Sequence, residues 1–193
     1  IKNEIFRKLF HISSSIIPLG YLWIINDKKL LIFILSILII VSLTIEILRA
    51  KSSIINNIFR KIFGSMLRED ESNGKLTGAT WLLFGHLLTI LIFPKSIAIP
   101  AMIFLSIGDA SAAIVGKTFP LIRIGNKTIS GSIGGFIISY SIMLYINDDL
   151  QQFILLCGLF SAMLIEFIPI KVNDNITIPL FSGSVMQLLN SII

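Results

Sequence analysis

Charge is scarce in this chain. Only 14% of its 193 residues are Asp, Glu, Lys or Arg, where soluble domains carry about 25%. That shortage excludes a disordered, charge-rich segment and argues against most soluble enzymes. Cysteine is scarcer still: Cys157 stands alone, which excludes an internal disulfide and a cysteine-based metal site. No Gly-x-x-x-x-Gly-Lys-Ser/Thr phosphate loop follows a strand. Internal repeats and low-complexity linkers are absent, and the opening IKNEIFRKLFH carries no signal-peptide cleavage pattern. Apolar residues are what the chain has: 54% of it is hydrophobic, with a mean hydropathy of +0.89. A single integral-membrane domain over residues 1–193 is the expectation. In such a chain the net charge of +5 marks loops held in the cytoplasm, not a nucleic-acid partner.

A hydrocarbon core about 30 Å thick needs about 20 apolar residues as helix. Seven stretches approach that: Leu9–Ile25, Leu30–Leu48, Thr77–Phe93, Ile97–Gly116, Ser132–Ile146, Phe153–Ile168 and Ile176–Ile193. The predicted fold is therefore all-α, a multi-pass bundle of about seven spans. Sorting the sixteen Lys and Arg residues by the loops between spans puts thirteen on one side, with only Lys28, Lys29 and Lys95 on the other. The positive-inside rule then places the N-terminus and the even-numbered loops in the cytoplasm. Within the cytoplasmic loop 49–76, Ile54, Ile55, Ile58, Phe59, Ile62, Phe63, Met66 and Leu67 recur at helical spacing among Arg60, Lys61 and Arg68. That pattern predicts an amphipathic helix, either resting on the leaflet or packed on the bundle.

The unusual polar residues gather on the same side. Asp109 is a carboxylate inside an apolar span, costly unless paired or metal-bound, and so a candidate functional group. Asp109, Ala112, Ala113 and Gly116 share a helix face nearly free of bulk. Two readings stand: a small-residue helix contact, or a surface where a phosphate and its metal approach. In KTFPLIRIGNKTISGSIGG, Gly125-Asn126 marks a turn and Gly/Ser residues open the next helix. Lys127 adds a cation there, and a helix N-terminus favours anions. Asp174 and Asn175 suit either a cap or a site. Glu46 and Arg49, three apart at a helix end, suit an ion pair. Arg68 and Glu69 read as solvated charges, His86 as a core or interfacial histidine, and Asp148-Asp149 as an acidic turn. Arg7, Lys8 and His11 read either as a cationic patch at the membrane surface or as interfacial anchors.

Taken in order, these segments resemble the CTP-dependent lipid kinases: dolichol (polyprenol) kinase, phytol kinase and yeast-type diacylglycerol kinase. GDASAAIVG resembles that family's Asp-x-x-Ala-x-x-x-Gly element, giving Asp109, Ala112 and Gly116. GNKTISGSIGGF is similar to its Lys-Thr/Ser-x-Glu-Gly segment, giving Lys127, Thr128 and Gly131. RKLFH looks like its Arg-Lys-x-x-His, EILR like its Glu-x-x-Arg, and VNDNITIPLFSG like its Asp-Asn-x-x-x-Pro element. The chain departs from the pattern at Ser130, where glutamate is frequent, and at Pro120, where a glycine is expected.

The resemblance implies transfer of the γ-phosphoryl group of CTP to the hydroxyl of a membrane lipid alcohol at the cytoplasmic face. It implies Mg²⁺ on Asp109 and Asp174. Phosphate charge would be balanced by Lys127 with Arg7 and Lys8, and His11 or Asp174 would take the alcohol proton. Gly125, Gly131, Gly116, Ala112, Thr128, Asn175, Glu46 and Arg49 complete the expected nucleotide contacts. Two alternatives remain at this level: a phosphatidate cytidylyltransferase-like enzyme making a CDP-lipid, whose family shares a similar Lys-Thr-x-Glu-Gly segment, and a small transporter. The sequence fixes neither the lipid nor the oligomeric state, and a homodimer stays open.

Overall fold

The computed structural model describes residues 2–72, 74–125, 127–147, 149–168 and 172–193. Asn126 of the expected turn, Asp148 of the acidic turn and Lys171 of the basic set lie outside the described residues. The helices, in chain order, are α1 (Lys2–Ser13), α2 (Ile16–Trp23), α3 (Lys28–Lys51), α4 (Ser53–Phe63), α5 (Glu69–Ser72), α6 (Gly78–Ile92), α7 (Lys95–Ile103), α8 (Ala110–Thr118), α9 (Ile129–Ile146), α10 (Gln152–Phe167) and α11 (Asp174–Ile192). Strands β1 (Arg123–Ile124) and β2 (Lys127–Thr128) form an antiparallel hairpin before α9, pairing Arg123 with Thr128 and Ile124 with Lys127. The fold is all-α apart from that hairpin.

A π-helical segment, Phe104–Asp109, joins α7 to α8 without a break. The resulting 24-residue helix, Lys95–Thr118, is the axis of the molecule: 89% of its apolar window is buried by its neighbours. Ile97 to Leu105 are all buried, as expected of a helix that is hydrophobic all round. The helix α3 is its opposite. It buries Leu31, Leu35 and Ile39 at four-residue spacing and leaves Phe33, Ile37, Ile40 and Ile47 outward. That is one inner stripe and an apolar exterior suited to lipid.

Three helical stretches are long and apolar enough to cross a membrane among the described residues: Lys28–Lys51, Lys95–Thr118 and Ile129–Ile146; Gly78–Ile92 and Gln152–Phe167 are apolar but shorter. The first expected span, Leu9–Ile25, is two helices instead, because the chain turns at Ser14 and Ser15. There the Ser14 hydroxyl donates to the His11 carbonyl at 2.6 Å, an alternative to continued helix. The amphipathic run expected to extend to Leu67 stops at Phe63, followed by Gly64 and a turn. None of the α4 side chains is buried: Ile54, Ile58 and Ile62 lie 71%, 56% and 62% exposed. That apolar stripe faces outward, while Phe59 on the same helix lies under the Arg49 guanidinium of α3.

At the end of the bundle away from the basic loops, two of the three lysines hold helix ends. Lys28 donates to the Leu91 and Phe93 carbonyls at 3.3 and 3.2 Å. Lys95 donates to the Leu22 carbonyl and to Asn26 at 3.3 and 2.9 Å. Both cations sit at helix C-termini, where the backbone dipole favours them.

Candidate active site

The opposite end of the bundle opens into a cleft of about 1270 Å³. Arg7, Lys8, His11, Asp109, Lys127 and Asp174, which the sequence singled out, all line it. They arrive from α1, the π-helical segment, β2 and α11, elements distant in sequence.

The inner wall is built on Asp109. Lys8 Nζ donates to Asp109 Oδ2 at 2.7 Å, with both residues buried. A buried charge pair of this kind is tolerated because each partner is satisfied. His11 Nε2 lies 3.6 Å from the same oxygen and 3.1 Å from the Leu105 carbonyl. A carbonyl only accepts, so Nε2 carries the hydrogen and the neutral ring keeps its lone pair on Nδ1. Among the described residues no hydrogen bond falls on Asp109 Oδ1, and the residue lines the cleft. The π-helical segment is held by Ser106, whose hydroxyl is 3.0 Å from that of Ser14 and 3.4 Å from His86 Nε2. His86 is wholly buried and donates from Nδ1 to the Leu82 carbonyl at 2.8 Å, a core histidine in contact with the support of the site.

The outer wall is built on Lys127. Its ammonium pairs with Glu166 and lies 3.4 Å from Asp174 Oδ2. Glu166 is buried in the last turn of α10, where the helix dipole disfavours an acid; Lys127 offsets that. Asp174 opens α11, where the dipole favours it. Burial alone would lower the Lys127 pKa, but Glu166, then Asp109 and Asp174, raise it above the usual lysine value. The ammonium therefore stays charged through the neutral range.

The small-residue face of α8 is a helix contact. A Cβ at Gly116 would stand 2.3 Å from Thr128 Oγ1, and one at Gly131 would stand 2.5 Å from the Ala112 carbonyl. Glycine lets α8 and α9 meet backbone to backbone, and that contact brings Lys127 to the cleft. Ala112, Gly116 and Gly131 still border the cleft, but their first effect is close packing. The N-terminus of α9 is partly spent as well: Thr128 Oγ1 accepts from the Gly131 N–H at 3.1 Å. Gly125, at φ +60°, turns the hairpin. Ser130, which replaces the expected glutamate, ties the 119–121 loop by donating to the Phe119 carbonyl and accepting from the Leu121 N–H.

Glu46 and Arg49 have their polar groups committed to the protein's own chain. Glu46 Oε1 accepts from the Thr77 N–H at 2.9 Å and from Thr80 at 3.1 Å. Arg49 donates to Glu46, to the Glu71 carbonyl at 3.0 Å and to the Lys75 carbonyl at 2.6 Å, and stacks over Phe59. The expected ion pair is present. Its visible effect is to hold the backbone at Glu71, Lys75 and Thr77 beside the cleft, which differs from direct nucleotide contact. Asn175 acts similarly, donating to the Gly78 carbonyl at 3.0 Å. The cap of α11 is Asn173, whose side chain accepts from the Asn175 N–H at 3.0 Å, not Asp174 or Asn175 as expected.

Sequence reasoning underweighted two acids. Glu166 closes an apolar helix, which was a readable signal of a buried, partnered carboxylate. Glu71 sat among other charges in a loop and gave none. Its two oxygens accept from the Arg68 and Gly78 N–H groups, each at 2.9 Å.

Over 182 residues the chain is 30% identical to an uncharacterized protein of Rickettsia prowazekii, covering 90% of this chain and 88% of that protein. The chain belongs to the family of that rickettsial protein. This family member is also 28% identical over 145 residues to CTP-dependent diacylglycerol kinase 1 of Schizosaccharomyces pombe, covering 70% of this chain and 63% of the relative. Against CTP-dependent diacylglycerol kinase 1 of Saccharomyces cerevisiae it is 26% identical over 219 residues, covering 96% of this chain and 73% of the relative. These distant similarities support the CTP-dependent lipid kinase family that the motif order implied. No family model matches the chain, and no solved structure does.

Proposed function

We propose that this chain transfers the γ-phosphoryl group of CTP to the hydroxyl of a membrane lipid alcohol. The distant similarity to the yeast enzymes favours diacylglycerol over polyprenol, dolichol or phytol as acceptor. The observation that carries the reading is the meeting of the Lys8–Asp109 pair with the Lys127–Glu166–Asp174 group in one cleft at the basic end of an apolar bundle. By the positive-inside rule that end is cytoplasmic, where the nucleotide is.

Phosphoryl transfer asks a protein for position and charge balance more than for covalent chemistry. Lys127, Lys8 and Arg7 would balance phosphate oxygens. The lipid hydroxyl attacks the γ-phosphorus, the bond to the β-phosphate oxygen breaks, and CDP leaves. The alcohol proton would go to His11 Nδ1 or to Asp174, both of which line the cleft. Asp109 and Asp174 would supply the oxygen donors that Mg²⁺ prefers, holding it with one or two carboxylates together with phosphates and water. Bound there, Mg²⁺ would neutralise charge on the transferring phosphate.

Purified protein with lipid-alcohol micelles and CTP labelled separately at the α and γ positions tests the reading. Label from the γ position alone should appear in lipid, and diacylglycerol should be the best acceptor. Label from the α position in lipid would establish a CDP-lipid product and overturn the kinase reading. No label in any lipid would overturn both enzymatic readings.

A further inference from the structure

Two guanidiniums, Arg7 and Arg68, line the cleft, with Glu4, Asp70, Glu71 and Asp109 in the same lining. Arg7 is half-buried on α1, and its ion-pair contact is Glu4 at 3.7 Å, a carboxylate that also pairs with Lys117. Arg68 lines the same cleft, and among the described residues its side chain makes no hydrogen bond or ion pair. Burial and then the Arg68 charge lower the Arg7 pKa, while Asp109 and Glu71 raise it.

The segment carrying Arg68 is fastened more firmly than a surface connector requires. Glu71 holds the Arg68 backbone, Arg49 holds the Glu71 and Lys75 carbonyls, and Glu46 holds the Thr77 N–H. Four buried residues, Glu46, Arg49, Glu71 and Thr77, thus hold the backbone at Arg68, Glu71, Lys75 and Thr77, with Arg68 in the cleft lining. Like charges brought to one cleft repel each other, and an anion between them offsets that repulsion. Guanidiniums suit a phosphate best, since each offers a planar fork of donors.

We infer that Arg7 and Arg68 form a two-pronged clamp for a phosphate group of a bound ligand, positioned by the Glu46–Arg49–Glu71 network. The phosphate belongs to the polyphosphate chain of the nucleotide or to a phosphorylated lipid. Only this choice of owner rests on the kinase reading; the anion site does not.

Direct binding tests the clamp without turnover. Wild type, Arg68→Ala, Arg68→Gln and Arg60→Ala are titrated in neutral detergent with inorganic tripolyphosphate, with CTP and with phosphatidate micelles. Arg60 lies on α4 outside the cleft and reports nonspecific charge. Both Arg68 variants should lose tenfold or more in affinity for at least one anion, while Arg60→Ala keeps wild-type affinity. Loss for tripolyphosphate and CTP assigns the clamp to nucleotide; loss for phosphatidate alone assigns it to lipid phosphate. Unchanged affinities in either Arg68 variant, an equal loss in Arg60→Ala, or no anion binding by wild type would overturn the clamp. Tripolyphosphate binding that needs Arg68, in a protein that phosphorylates no lipid, would sink the kinase reading and leave the clamp standing. Normal turnover and binding in both Arg68 variants would do the reverse.

Discussion

Lys8 and Asp109 meet at 2.7 Å although 101 residues separate them in sequence. The pair ties the first helix of the chain to the centre of its most buried one. On the proposed function it would serve stability and chemistry together, and single substitutions would mix the two. Removing one partner of a buried pair typically costs about 3–5 kcal/mol, because the other charge is left without compensation.

Asp109→Asn should abolish lipid phosphorylation and also lower the thermal midpoint. Adding Lys8→Met should recover most of the midpoint and none of the activity. Thermal unfolding in detergent, run beside the phosphorylation assay, separates these effects. Near-normal activity in either variant would make Asp109 structural only.

Lys127→Ala should reduce kcat/KM for CTP by about 10²-fold or more, since a preorganised charge donor is worth about 2.7–4 kcal/mol in the transition state. A solvated loop lysine would contribute about 0–1 kcal/mol. Glu166 becomes an unpaired buried acid in that variant, so Lys127→Ala with Glu166→Gln is the cleaner comparison. Lys127→Arg should be partly defective, because a planar fork does not replace a compact ammonium. Steady-state kinetics with CTP varied, then lipid varied, check this. A defect confined to the lipid KM would count against a role at the nucleotide.

The basic asymmetry predicts a cytoplasmic cleft. With Cys157 replaced, a cysteine at exposed Asp70 should react with an impermeant thiol reagent only from the cytoplasmic side of intact membranes. One at exposed Lys29 should react only from the other. Labelling in the reverse sense would separate the cleft from cytoplasmic nucleotide.

Much of the helical plan was legible because apolar run length and helix length obey the same membrane spacing. The motif residues could be listed but not arranged. Nothing local says that Lys127 reaches Glu166, because that pairing depends on how closely Gly116 and Gly131 let two helices approach. The Glu46–Arg49 pair was readable from its three-residue spacing. Its grip on the Glu71 and Lys75 carbonyls was not, since backbone acceptors carry no sequence signature. The break at Ser14 was hidden by hydropathy, which does not register a serine hydroxyl turning back on its own chain. The π-helical segment was hidden for a related reason. Ser106 and Gly108 look like ordinary small residues of a span until their neighbours, Ser14, His86, Ser139 and Met163, are in place.

That segment makes the aim of Asp109 a matter of counting. Each residue of an α-helix turns the chain by about 100°. A wide turn shifts everything beyond it relative to everything before it. Deleting Ile107 would let Lys95–Thr118 close into a regular helix with Asp109 still aimed at Lys8, because the wide turn holds one residue more than a regular turn for nearly the same rotation. Such a deletion should insert into membranes normally and keep more lipid phosphorylation than Asp109→Asn. The span can then lose a residue at that one place without turning the carboxylate away, whereas a loss elsewhere in regular helix would turn it by roughly 100°.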